Sequence, residues 1–99
     1  MTTSHEYNTC KNKGNCRVWI EGQRLIDAGW DNGDRFNKAI SEGVLTLVKV
    51  EDGRHKVAGT PARPIIDLNG KYLNPLLEGA PRYRATFASP RLIVIEPIA

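Results

Sequence analysis

The sequence predicts a mostly β, β-rich α+β fold in which two units of similar design share one small barrel-like core. Three observations carry that prediction. Short runs of β-branched and aromatic residues alternate with Gly, Pro, Asn and Asp clusters, the mark of short strands and tight turns. The helix-forming stretches span only one or two turns, too few to stand alone. The order strand, Gly, helical turn, turn cluster, hairpin then occurs twice, with Gly22 and Gly70, Leu25 and Leu73, and the runs 44–47 and 92–95 each 48 positions apart. A unit of about 48 residues buries too little apolar surface to fold by itself, so two must pack or interleave their hairpins.

In chain order, residues 1–15 hold almost no large apolar side chain beyond Met1 and Tyr7 and read as a flexible N-terminal arm or an edge segment. The first unit, residues 16–58, opens with Arg17-Val18-Trp19-Ile20 as a strand that Gly22 punctuates. Residues 23–28 are good helix formers and stop at Gly29. Asp31-Asn32-Gly33-Asp34 is a turn, after which 35–40 and 44–50 form a hairpin through Ser41-Glu42-Gly43. Glu51-Asp52-Gly53 turns the chain again, 54–58 adds a short strand, and 59–62 is a linker. The second unit, residues 63–99, repeats the order: a strand at 63–68, Gly70, a helical or turn segment at 71–77, and a hairpin of 82–88 and 91–96 joined by Ser89-Pro90, with Pro97 ending the regular structure.

Composition sets the class. The 99 residues are 40% apolar and 25% charged, ordinary for a soluble domain. No run approaches the roughly 18 apolar residues of a membrane-spanning helix. The start lacks the apolar stretch of a secretory signal, so a cytoplasmic protein with no membrane partner is expected. Lys and Arg number 14 against 11 Asp and Glu, and the net charge of +3 permits a polyanion partner without demanding one. Residues 62–99 carry five Lys and Arg against three Asp and Glu, which makes the second unit the more basic half. Cys10 and Cys16 are too few for a disulfide scaffold, and their spacing does not fit a zinc knuckle. With only His5 and His55 to add, no metal and no cofactor is expected.

Ile20, Gly22, Leu25, Ala28-Gly29-Trp30 and Gly33 follow one another in an order that resembles the AbrB-like swapped-hairpin superfamily, most closely its SymE-type branch. The resemblance covers residues 17–50. The second half keeps Leu68, Gly70, Leu73 and the hairpin but lacks the Ala-Gly-aromatic step, so it resembles a diverged copy. The resemblance implies tandem swapped-hairpin units forming a pseudo-dimeric β-barrel. It also implies a DNA-binding regulator, an antitoxin, or a SymE-type toxin linked to RNA cleavage. Its phosphate-contacting positions fall at Arg17 and Arg24, with Arg63 and Lys71 as second-copy equivalents. At Arg24 the SymE-type pattern tends to have a bulky aromatic instead.

The residues themselves add a basic second hairpin. Strand alternation puts Arg82 and Arg84 on one face and Tyr83, Ala85 and Phe87 on the other, offering two guanidinium groups to phosphate oxygens. Tyr72, beside Lys71 and outside an apolar run, is the aromatic best placed to stack a base. The sequence holds no phosphate loop and no Ser/His/Asp set. His55 and Glu42, or Asp34, are the residues available for acid–base work, and Gly53-Arg54-His55-Lys56 gives His55 basic neighbours that suit a phosphate. The expectation is therefore a small nucleic-acid-binding protein, DNA ahead of RNA, as a monomeric pseudo-dimer or a homodimer. A protein-binding module and an endoribonuclease are the alternatives.

Overall fold

In the computed structural model, residues 2–98 are described. Ten strands form two antiparallel sheets. One is six-stranded in the order β1-β9-β10-β5-β4-β6, the other four-stranded in the order β2-β3-β8-β7. The strands are β1 (Thr3–Asn8), β2 (Cys10–Asn12), β3 (Asn15–Glu21), β4 (Arg35–Ser41), β5 (Val44–Lys49), β6 (His55–Lys56), β7 (Ala58–Thr60), β8 (Arg63–Asn69), β9 (Arg82–Ser89) and β10 (Leu92–Ile98). Helix α1 (Gln23–Asp27) follows β3, and a 3-10 turn (Lys71–Leu73) running into α2 (Asn74–Leu77) follows β8. Among the described residues no ladder closes the two sheets into a barrel, and no helix is long and apolar enough to cross a membrane.

The expected hairpins form because alternation and turn chemistry agree. In β3, Cys16, Val18 and Ile20 point inward, and in β9 Tyr83, Ala85 and Phe87 do so. Leu45, Leu47, Ile93 and Ile95 line the middle of the large sheet, and Leu25, Trp30, Leu73 and Leu77 cap the core from the helical segments. Tyr83 ties the sheets together: its hydroxyl accepts from the Trp19 backbone N–H at 3.2 Å.

Two expectations change and a third takes one of its two forms. Of the readings of residues 1–15, the described residues follow the edge segment and not the flexible arm: β1 pairs along its length with β9, and β2 with β3. Both are edge strands with mainly solvent-facing side chains, which is why the segment looks structureless in composition. The stretch 59–62 is not a free linker either, since β7 pairs with β8 through Ala58–Ile65, Gly59–Pro64 and Thr60–Arg63. Pro97 does not end the regular structure. It sits in β10 opposite Tyr83, beyond the last rung to β5, where its missing N–H interrupts no ladder on that side.

The pairing across the two halves follows the spacing of 48. The β3–β8 ladder includes Trp19–Asp67 and the β5–β10 ladder includes Thr46–Val94, and each of these cross-strand pairs joins residues 48 apart. The β2–β3 rung Cys10–Arg17 and the β7–β8 rung Ala58–Ile65 are related by the same step. The outer strands are exchanged between the halves: β1 lies on β9, and β6 lies on β4. One irregularity breaks the spacing. A bulge at Leu92/Ile93 shifts β9 by one, so Ala85, opposite Ile95, is the counterpart of Lys38, opposite Leu47.

Candidate nucleic-acid interface

The structure neutralises most of the arginines that the sequence singles out. Arg17 on β3 makes a bidentate ion pair with Asp67 at 2.8 and 3.0 Å and lies over the Trp19 ring. That hydrogen-bonded pairing raises the Arg17 pKa and lowers that of Asp67. Arg63 on β8 is held by Glu21, with its Nε 2.8 Å from the carboxylate. Arg82 and Arg84 do share the outward face of β9 while Tyr83 and Ala85 are buried. Neighbouring strands supply carboxylates to that face: Glu6 of β1 meets Arg82 at 2.8 Å and Arg84 at 3.7 Å, and Glu96 of β10 meets Arg84 at 3.5 Å. The second hairpin therefore presents no bare guanidinium pair. Arg24 lies over the Tyr7 ring at 5.2 Å. Like Lys71, it has no salt bridge among the described residues.

Unpaired positive charge gathers instead at the β4–β6 edge. Arg35 stands opposite Lys56 and Phe36 opposite His55 in that short ladder. Gly53 lets the turn before β6 lie against β4, because a Cβ there would overlap the Phe36 backbone. The Arg35 guanidinium donates to the Gly53 carbonyl at 3.2 Å, and the Arg54 N–H donates to Asn37 Oδ1 at 2.9 Å. Lys38, two residues on from Phe36 and on the same side of β4, brings its Nζ within 2.7 Å of His55 Nε2. An ammonium can only donate, so His55 Nε2 accepts and its ring proton sits on Nδ1. Phe36 packs on the His55 ring at 5.5 Å, and Lys38 Nζ also lies 4.4 Å from the centre of the Tyr72 ring. Tyr72 is 36% exposed and the wall of this corner.

None of Arg35, Lys38, Arg54 and Lys56 has a carboxylate within salt-bridge distance among the described residues. The crowding shows in protonation. Partial burial, with the charge of Arg54 added, pulls Lys38 below the usual lysine range. Partial burial, then Lys38 and Arg54, pulls His55 below the usual histidine range. Asn37, Lys38, Arg54 and His55 line an open cleft of about 480 Å³. A second cleft of about 510 Å³, between α1 and the β9–β10 turn, has Asp27 as its one charged lining residue.

Of the acid–base candidates, the structure gives His55 a positioned partner and leaves Glu42 apart. Glu42 sits at the tip of the β4–β5 turn, six positions along β4 from the rung that holds His55, on the order of 20 Å away at strand rise. Asp34 is engaged by Lys49 at 3.1 Å and accepts from the Asp31 N–H at 2.8 Å. Cys10 is exposed and shares the side of β2 that faces Arg17, while Cys16 is buried opposite Lys11 with its thiol raised by burial and by Glu78. The two cysteines thus face opposite sides of their hairpin. Lys38 is the residue that sequence reading misses. The one signal for it is the β4–β6 pairing, which joins positions 17 apart.

No protein-family model, curated protein or solved structure matches the chain.

Proposed function

We propose that the chain is a nucleic-acid-binding protein, a regulator or toxin relative built as two swapped-hairpin units of AbrB-like, SymE-type design in one pseudo-dimeric barrel-like body. The two inter-half ladders, each containing a pair of residues 48 apart, support the tandem arrangement. The phosphate-binding surface in this reading is the β4–β6 edge. A single observation carries it: among the described residues Arg35, Lys38, Arg54 and Lys56 collect there with no carboxylate partner, whereas the arginines of β3, β8 and β9 are ion-paired. Uncompensated cations are what a phosphate backbone replaces its counterions with.

The test is a salt titration of duplex DNA and of RNA binding. Log affinity should fall linearly with log salt at a slope of about −0.9 per duplex phosphate contacted. Replacing Lys38 and Arg54 by Ala should flatten that slope by about two. Absence of binding to either polymer at low salt overturns the proposal.

A second reading, an endoribonuclease, is favoured by the 2.7 Å Lys38–His55 contact. The imidazole lone pair at Nε2 is taken by that contact, so the group suited to the reaction is the Lys38 ammonium, fixed by His55 and able to give a proton to a leaving oxygen or to hold the charge on the scissile phosphate. Cleavage of a labelled RNA that persists unchanged in His55→Ala removes this reading.

A further inference from the structure

We propose that the cleft between β4 and β6 takes a terminal phosphate of a nucleic-acid strand, the dianionic monoester end, in preference to the internal diesters of the backbone. This rests on the nucleic-acid reading above and names the feature of the ligand that the cleft selects. The argument starts from how the cations are arranged. Along an extended backbone-binding face they would be spread out, each meeting a single charge. Here Lys38 Nζ and His55 Nε2 are 2.7 Å apart, and Arg54 is close enough to act on both. Asn37 completes the lining, and no carboxylate among the described residues comes within salt-bridge distance of the group. The cations Lys38 and Arg54 repel one another, the hydrogen bond from Lys38 to the neutral His55 compensates neither charge, and the ligand that relieves them best puts the most negative charge into the least volume. A phosphomonoester carries nearly two charges and three acceptor oxygens near neutral pH, while a diester carries one charge and two free oxygens between bulky nucleosides.

Geometry supports an end rather than a span. The cleft lies at a corner, where the His55 ring tilts against Phe36 at its base and Lys38 reaches the neighbouring Tyr72 ring. A strand entering with its last phosphate against Lys38, Arg54 and His55 can lay its terminal base along Tyr72.

The experiment compares single-stranded oligonucleotides of one sequence bearing a 5′-phosphate, a 3′-phosphate or hydroxyls at both ends, at one salt concentration. One of the phosphorylated forms should bind about tenfold tighter than the hydroxyl form. Inorganic phosphate should compete with that form and not with the other. The advantage should fall below about twofold in Lys38→Ala and in Arg54→Ala, two surface positions whose loss leaves the core intact. Equal binding of all three oligonucleotides, with salt dependence retained, overturns the terminal-phosphate assignment and leaves nucleic-acid binding standing. Failure of all three to bind removes both. An advantage that survives in both variants places the phosphate elsewhere and also overturns the assignment.

Discussion

The two ends of the six-stranded sheet occupy corresponding places and hold opposite chemistry. At one end β6 lies on β4, with His55 against Phe36. At the other β1 lies on β9, with Tyr7 stacked on Tyr83 at 5.4 Å. Position by position, Lys38 is answered by Ala85, Arg54 by Glu6, His55 by Tyr7, and Tyr72 by Arg24. At the β1 end, Glu6 satisfies Arg82 and Arg84, and Ala85 is wholly buried. At the β6 end the cations have no carboxylate within salt-bridge distance among the described residues. Corresponding places in the sheet thus hold one closed, internally neutral edge and one edge of uncompensated charge, with β1 making six rungs on β9 and β6 only two on β4.

The harshest way to break this comparison is to write one edge into the other. Ala85→Lys would place an ammonium where Lys38 sits by correspondence, but in a fully enclosed position. It should lower stability by about 4 kcal/mol or more, read as a drop in the denaturant midpoint, and a normal midpoint would show that the two edges are interchangeable. Second in size is the double substitution of Lys38 and Arg54 by Ala, expected to weaken nucleic-acid binding at low salt by about tenfold or more. Arg82→Ala with Arg84→Ala should change it by less than about threefold, because those guanidiniums already have carboxylates. Comparable losses in the two double variants would erase the distinction.

Acidification gives a smaller, signed effect. His55 is held below its ordinary pKa, so the folded state binds its proton later than the unfolded chain does. Stability should be level above a pH of about 6.5 and decline as the pH falls beneath that value. Unfolding of the wild type and of His55→Gln at a series of pH values checks this, and a decline of equal size in the variant would remove His55 as its source. Asp67, Glu21 and Glu78, lowered by Arg17, Arg63 and Lys11 respectively, add losses that begin only as the pH enters the ordinary carboxylate range near 4. The smallest effect belongs to Arg24→Ala, which gives up a cation–π contact with Tyr7 and should cost about 0.5–1 kcal/mol in thermal or denaturant melts.

The hairpins were legible because their cause is local: alternation in 82–88 and a Ser-Glu-Gly turn at 41–43 need no knowledge of the rest of the chain. The edge strands were not. β1 buries little, so its sequence carries no apolar rhythm, and only the neighbouring β9 makes Thr3–Asn8 a strand. The same non-local dependence explains the reading of the basic residues. Arg17 finds Asp67, Arg63 finds Glu21, and Arg82 finds Glu6, partners 42 to 76 positions away that only the strand register brings close. Of the candidate site, Arg54, His55, Lys56 and Tyr72 stood out in the sequence, while Arg35 and the half-buried Lys38, both within a hairpin arm, did not. The bulge at Leu92/Ile93 also hides similarity between the halves, since it moves β9 from a spacing of 48 to 47 and pairs Phe36 with Tyr83 rather than with Arg84.

The ladders that join the two halves within a single chain have a further consequence. Two identical subunits held by the same ladders would carry every substitution twice, so a lysine gained at one edge would appear at both, along with the cost of the second. Joining the halves covalently removes that obligation. In the tandem arrangement proposed above, one edge is free to become a crowded cationic corner while its counterpart stays packed and neutral.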